Sequence, residues 1–184
     1  MSYITLPDSN TISDEVRHMW EDCERRWKYV PNIVRSYAMA PEVMKAEDVW
    51  SKGVMHNGFL PRKLKEAIAT VVSATNDCNY CASSHALAYE LAGGDESEGA
   101  ACRLLNFSEF DEKERAAFEY AKKATQDAKS ITQADITELQ KYYSDGEIVE
   151  IAAVIQQFMG YNWFVTILGL ELEEANPYQA LEKI

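Results

Sequence analysis

The chain has 184 residues, of which 47% are apolar, and its 18 basic and 30 acidic residues give a net charge of −12. This length and apolar content suffice for one sizeable core, and no polar linker divides the chain, so we expect one domain over residues 1–184. The spread-out acidic excess argues against nucleic-acid binding and against anionic membranes. The N-terminus has no leader pattern and no apolar run approaches roughly 20 residues. A cytoplasmic protein is therefore expected.

Helical patterns follow one another along the chain with short connections. An extended arm at residues 1–10 precedes the first helix, and Pro31, Pro41 and Pro61 each stand where a first helical turn tolerates proline. The predicted helices cover residues 14–29, 32–39, 42–55, 61–77, 78–93, 95–105, 111–127, 132–143 and 147–170, the last interrupted near Gly160. No convincing strand pattern appears. The sequence predicts an all-α fold of about eight or nine helices, with an N-terminal helical arm over residues 1–58.

The helix that Pro61 opens has two unlike faces. Its apolar face holds Leu64, Ile68, Val71, Val72 and Thr75. The opposite face holds Glu66, Thr70 and Ser73, and its small hydroxylic centre would let another helix approach closely. A lone helical glutamate is ordinarily a solvated surface residue. A buried role for Glu66 therefore needs support from the rest of the sequence.

The segment Asp77-Cys-Asn-Tyr-Cys-Ala-Ser-Ser-His85 is the one whose residue types demand a chemical explanation. If Asp77 caps a helix, Cys78 and Cys81 lie in its first turn, where the helix dipole favours the reactive thiolate. Spacings of three and four residues place Cys78, Cys81 and His85 on one helical face. The sequence thus predicts a nucleophilic sulfur beside a base.

A Cys-x-x-Cys pair has three common interpretations: a redox dithiol, half of a zinc site, or a pair without a role. Structural zinc usually needs four ligands, and this chain has neither a second such pair nor a histidine pair, so zinc would have to recruit Glu66 or a distant cysteine. A thioredoxin-like fold would place the motif after a strand. If the pair had no role, the position of His85, four residues after Cys81, would have no explanation. Cys23 and Cys102 are isolated, and we interpret both as packed residues.

A faint internal repeat appears at a shift of 84 residues, which aligns Glu66-Ala-Ile-Ala with Glu150-Ile-Ala-Ala. The same shift places Cys78 over Asn162. If the repeat is real, a second helical unit at about residues 144–170 resembles the first without its chemical side chains.

Glu66, twelve residues before Cys78, together with the Cys-x-x-Cys pair and His85, resembles the core signature of the alkylhydroperoxidase D family within the carboxymuconolactone decarboxylase-like superfamily. The signature covers about residues 60–93. The flanking segments Val-Pro-Asn-Ile-Val-Arg at 30–35 and Glu-Arg-Ala-Ala-Phe-Glu-Tyr-Ala at 114–121 are similar to peroxidase-related members. The resemblance implies an all-helical fold with an internal duplication, a trimeric or hexameric assembly, and thiol peroxidase activity without haem, flavin or metal.

By this resemblance, Cys81 is the thiol that attacks the hydroperoxide, Cys78 the resolving thiol, His85 the base or proton relay, and Glu66 the residue that orients His85. Tyr80 stands where the best-studied family pattern has a second histidine, and a tyrosine is not a base near neutral pH. The disulfide that forms requires an external dithiol reductant, of lipoyl or thioredoxin-like type.

Three rival hypotheses stay open at this stage. A redox sensor or disulfide-exchange protein would use the same pair without turning over peroxide. A zinc-binding module would lose its fold with chelator. A lactone decarboxylase is the third, although the superfamily members with that activity lack the cysteine pair.

Overall fold

The computed structural model describes residues 2–174, and within that range it contains nine α-helices and no strand. The all-α prediction is confirmed. The helices are α1 (Asp14–Trp27), α2 (Asn32–Tyr37), α3 (Pro41–Ser51), α4 (Arg62–Thr75), α5 (Asn79–Leu91), α6 (Glu96–Arg103), α7 (Glu112–Gln126), α8 (Gln133–Leu139) and α9 (Asp145–Leu168). A π-helical turn, Lys52–His56, extends α3, and a 3₁₀ turn, Ala128–Ser130, follows α7.

Side-chain caps fix where several helices begin. Ser144 and Glu147 form a reciprocal capping box at the start of α9, and Asp95 and Glu98 form another at α6. The side chain of Asp111 accepts a 2.8 Å hydrogen bond from a backbone N–H in the first turn of α7. Each cap satisfies backbone donors that have no partner inside the helix, which is why these boundaries were readable from sequence.

Helix α4 is the centre of the fold, since it packs against α5, α6, α7 and α9. Every residue from Leu64 to Ser73 is buried, including the hydroxylic face, as the small side chains on that face predicted. Thr70 donates back to the Glu66 carbonyl at 2.9 Å, and Asn162 Nδ2 of α9 donates to Ser73 Oγ at 3.1 Å. The close approach of α9 thus satisfies the polar groups of this face.

Helix α9 is a single continuous helix of 24 residues, so the predicted interruption near Gly160 is wrong. A glycine inside a helix costs only about 1 kcal/mol, and burial of Phe158, Asn162 and Val165 on both sides of it outweighs that cost. A turn separates α4 from α5, but α9 continues as one helix through the positions that the 84-residue shift aligns with that turn. The second copy of the predicted repeat therefore does not form a helical hairpin. By length and composition alone α9 could span a membrane. Here it packs against α4, α5 and α7.

The N-terminal helices form a smaller layer of their own. Its core consists of Ile12, Val16, Trp20, Ala38 and Met44. The arm before α1 is tied to the end of α9, where the N–H of Tyr3 donates to the Leu168 carbonyl at 2.9 Å. Leu6 of the arm and Ile33 of α2 pack against the cluster that contains both motif cysteines. This layer therefore covers the chemical site.

Candidate active site

The cysteine motif lies at the sharp turn between α4 and α5. Asp77 has the left-handed φ of +55°, which aspartate tolerates better than most residues, and the N–H of Cys78 donates to the Ser73 carbonyl at 2.9 Å. Cys78, rather than Asp77, occupies the N-cap position of α5, and Asp77 does not cap the helix. That prediction was wrong because Asp77 has a left-handed backbone conformation, whereas an N-cap residue typically has extended backbone angles.

Cys81 is the third residue of α5, in its first turn as predicted, and its sulfur lies 2.9 Å from that of Cys78. Both thiols are buried and unoxidised in the structure. The hydrogen bond between the two sulfurs lowers the pKa of Cys78, whereas the same bond, together with burial, raises the pKa of Cys81. The pair therefore stabilises one thiolate, on Cys78, at the helix N-terminus. For Cys81 to react as a nucleophile, a base has to take its proton.

His85 lies one turn beyond Cys81 on α5, and its Nδ1 is 2.6 Å from Oε2 of Glu66 on α4. A carboxylate can only accept, so Nδ1 carries a proton, and the neutral imidazole in this geometry has its lone pair on Nε2. The edge of the His85 ring packs on Phe158 of α9, with centroids 4.3 Å apart. The structure thus brings Glu66 and His85 together and holds the ring in the orientation and tautomer that a base requires.

Glu66 is completely buried and has a second partner, Arg62, whose Nε and Nη2 both bind Oε1. Burial raises the pKa of the Glu66 carboxyl, but the charges and hydrogen bonds of His85 and Arg62 outweigh burial and leave it below its usual value. Glu66 is therefore ionised. Sequence analysis missed Arg62, although its spacing of four residues from Glu66 was a usable signal.

Cys81 and His85 line a pocket of about 730 Å³ between α5 and the N-terminal layer. Its aromatic lining comprises Trp27, Tyr29, Tyr37, Tyr80 and Tyr161. This volume lies in the usual range for small-molecule sites, about 300–1,000 Å³. Cys78 packs behind Cys81, in the cluster with Leu170 and Leu172. Cys81 is thus the motif cysteine that faces the pocket.

The two other cysteines differ from each other. Cys102 is fully buried, as predicted, and burial together with nearby carboxylates raises its pKa to about 12. Cys23 is only partly buried and lines the pocket, so its interpretation as a simple packed residue needs correction. Burial raises the pKa of Cys23 as well, which makes it a poor nucleophile.

Tyr80, between the motif cysteines, is locked in place by its hydroxyl. That hydroxyl accepts from the N–H of Ile33 at 3.1 Å and donates to Glu173 at 2.7 Å. Burial and the Glu173 carboxylate raise the pKa of Tyr80, so it serves as a structural donor and not as a base. Through these two hydrogen bonds, Tyr80 connects α2 and the segment after α9 to the cysteine motif.

Within residues 2–174 the structure contains no group of three or more His, Cys, Asp or Glu side chains arranged to hold a metal. A zinc site at the motif would need further ligands beyond the cysteine pair. Glu66, the ligand that zinc would have had to recruit, is occupied by Arg62 and His85.

Residues 41–123, which include all four predicted site residues, match the model of the carboxymuconolactone decarboxylase family. A peroxidase-related protein from Silicibacter sp. TM1040 has the same fold, with a TM-score of 0.89 and 26% identity over 95% of this chain and 93% of that one. Residues 41–123 thus belong to the carboxymuconolactone decarboxylase family, and the chain as a whole is similar to a peroxidase-related protein. The predicted resemblance is confirmed.

Other solved structures share the fold at lower identity. An alkylhydroperoxidase AhpD core protein from Ralstonia eutropha JMP134 is 19% identical, with a TM-score of 0.90 over 100% of this chain and 98% of that one. The debrominase Bmp8, in complex with 2,3,4-tribromopyrrole, is 23% identical, with a TM-score of 0.84 and 97% coverage of both chains. A comparison with curated proteins finds no significant match.

Proposed function

We propose that this protein is a thiol peroxidase that reduces organic hydroperoxides through a Cys78–Cys81 dithiol/disulfide cycle. The observation that carries the proposal is the thiol pair with sulfurs 2.9 Å apart, placed one helical turn from a His85 that Glu66 holds in its basic tautomer. The family match of residues 41–123 and the similarity to a peroxidase-related protein of the same fold support it.

The cycle begins when His85 Nε2 takes the proton of Cys81, directly or through a water. The Cys81 thiolate attacks the terminal peroxide oxygen, the O–O bond breaks, and the alkoxide leaves as an alcohol with the proton from His85. Cys81 becomes a sulfenic acid. The Cys78 sulfur then attacks Cys81, a disulfide forms, and water leaves. Glu66 stabilises the transient imidazolium, since it stays ionised throughout.

An external dithiol, of lipoyl or thioredoxin-like type, restores the reduced pair by thiol–disulfide exchange. In this proposal the redox centre consists of the two cysteines, and haem, flavin and metal take no part. We further propose that the protein acts in the cytoplasm as a homo-oligomer, a trimer or a hexamer, as the family resemblance implies. Its substrate is a hydroperoxide, and it binds neither nucleic acid nor membranes.

Single-turnover oxidation tests the mechanism. Reduced protein is mixed with cumene hydroperoxide, and free thiols are followed by mass spectrometry in the wild type, Cys81→Ser and His85→Ala. We expect a fast intramolecular disulfide that Cys81→Ser abolishes and His85→Ala slows about 10²–10⁴-fold. Thiols that react no faster than free cysteine would refute the proposal. Steady turnover with a dithiol separates an enzyme from a sensor, which reacts once.

Reductive dehalogenation is a second candidate, because the debrominase Bmp8 has the same fold and the pocket here has an aromatic lining beside a dithiol. In this reaction the dithiol supplies two electrons, and the halide leaves as the disulfide and the C–H bond form. Bromide release from 2,3,4-tribromopyrrole by reduced protein, absent in Cys81→Ser, would favour this candidate over peroxide reduction.

A further inference from the structure

A chain of hydrogen bonds lies on the side of the pocket formed by α3 and α9. Gln157 Nε2, which is buried, donates to the hydroxyl of Tyr161 at 2.6 Å, and that hydroxyl donates to Oε1 of Glu47 on α3. The direction of this chain is fixed, because an amide N–H can only donate and a carboxylate can only accept. The Tyr161 hydroxyl therefore donates its proton to Glu47, and the last group in this series of hydrogen bonds, the Glu47 carboxylate, is an acceptor.

Glu47 and Tyr161 both line the pocket that Cys81 and His85 enter from α5. A carboxylate has about four lone-pair sites, and the hydrogen bonds from Tyr161 and Gln157 leave some of them available. Burial raises the pKa of Tyr37, and the charges of Glu47 and Cys81 raise it further. Tyr37 therefore interacts electrostatically with both groups. A stack on Phe164, with centroids 4.5 Å apart, fixes the Tyr37 ring. Tyr37, Cys81 and Glu47 therefore line one pocket.

The cations around the pocket are held in ion pairs. Four cations line it, and each is engaged by an acidic side chain. The pairs are Arg25 and Arg26 with Asp22, Lys52 with Asp48, and Arg62 with Glu66. The partners of Glu47 are instead a phenol and an amide, which carry no positive charge, and burial raises the pKa of its carboxyl above the usual value. A negatively charged ligand would meet this carboxylate in a partly buried site, where repulsion is poorly screened.

We propose that the pocket selects uncharged substrates that carry a hydrogen-bond donor, a hydroxyl or N–H group, remote from the reacting group, and that Glu47 accepts this bond. The inference rests on the proposed peroxidase function and narrows its substrate class to donor-bearing hydroperoxides. Carboxylate-bearing hydroperoxides of the same shape are disfavoured. Glu47 is a specificity residue here, and it takes no part in the chemistry at Cys81.

Three cumyl hydroperoxides that differ only in the para substituent test the proposal: hydrogen, hydroxymethyl and carboxylate. Single-turnover rate constants for Cys81 oxidation are measured at subsaturating peroxide. In wild type we expect the hydroxymethyl compound to react about 10-fold faster than the unsubstituted one, since a hydrogen bond to a charged group is strong. The carboxylate compound should react more slowly than both.

Two variants and one control isolate Glu47. Glu47→Met should bring the ratio of the hydroxymethyl rate to the unsubstituted rate to about one, and Glu47→Gln should bring the ratio of the carboxylate rate to the unsubstituted rate closer to one. Glu21→Gln removes a charge from a carboxylate that also lines the pocket, and it should keep the wild-type ratios. Equal rates for all three peroxides in wild type, or wild-type ratios in the Glu47 variants, would overturn the proposal.

The same compounds separate failure of this inference from failure of the peroxidase function. If no peroxide oxidises Cys81, the function fails, and recognition is then measured with the three corresponding alcohols, which do not react. Quenching of tryptophan fluorescence reports their binding, because Trp27 lines the pocket. Tighter binding of the hydroxymethyl alcohol in wild type, lost in Glu47→Met, would uphold recognition by Glu47. Equal binding of the three would refute it.

Discussion

Replacement of Glu66 by glutamine tests the electrostatic centre of the site, because it removes a fully buried charge and keeps the shape. Breaking a buried ion pair typically costs about 3–5 kcal/mol. The Arg62 side chain is 32% exposed and can regain water, so we expect the lower cost of about 2–3 kcal/mol in the free energy of unfolding. His85 loses the carboxylate that stabilises its protonated form. The single-turnover rate should fall about 10–100-fold, less than in His85→Ala.

Urea denaturation gives the stability change, and thiol loss after peroxide addition gives the rate. Glu119→Gln is a matched control, since Glu119 is exposed on α7, away from the motif. A surface substitution of this kind should change stability by less than about 0.5 kcal/mol and leave the rate unchanged. If Glu66→Gln behaves like this control, the assignment of Glu66 as the partner that holds His85 is wrong.

The pH dependence of the same variant provides a second check. The pKa of Glu66 is below its usual value of 4.5 in the folded protein. Its contribution to stability is therefore complete above that value and is lost as the pH falls through the folded-state pKa. The stability difference between wild type and Glu66→Gln should shrink as the pH falls below about 4.5. A difference that does not change on acidification would contradict an ionised Glu66.

Three further substitutions test other parts of the structure. Cys78→Ser should still consume peroxide once but should leave a sulfenic acid on Cys81, which dimedone labelling detects; equal labelling in wild type would argue against Cys78 as the resolving thiol. Lys65→Met should lower the free energy of unfolding, measured by urea denaturation, by about 3–5 kcal/mol, because it leaves Glu150 without its buried partner. The double variant with Glu150→Gln should recover part of this loss. Tyr80→Phe should speed alkylation of the cysteine pair by iodoacetamide, since the hydroxyl no longer fastens the segment after α9; an unchanged rate would show that this hydrogen bond does not limit access.

The sequence predicted the parts of the site that depend on local geometry. Helical spacing alone put Cys81 and His85 on one face of α5, and the small side chains of Thr70 and Ser73 correctly predicted a buried face on α4. The proximity of Glu66 to His85, 19 residues further along, followed from the family resemblance, because periodicity within one helix does not place a neighbouring helix.

The features that the sequence did not predict depend on contacts between distant segments. Lys65, a residue type that is usually exposed, is 99% covered because the chain offers the Val54 and Asn57 carbonyls and the Glu150 carboxylate at one point. The Asp77 cap failed for a similar reason, since the packing of α5 on α4 dictates the left-handed turn. Local patterns carry little information about either arrangement.

The division of the site between two parts of the chain explains how one fold can serve different substrates. The segment that matches the family model, 41–123, contains the cysteine pair, His85, Glu66 and Arg62. Much of the aromatic lining of the pocket comes from outside that segment, with Trp27 and Tyr37 before it and Tyr161 after it. Substitutions in this lining can change the shape and polarity of the pocket without disturbing the hydrogen bonds that hold the histidine. A peroxidase-related protein and a debrominase share this fold, so the fold alone does not identify a substrate, and the residues that decide it in this protein should be sought in the N-terminal layer and on α9.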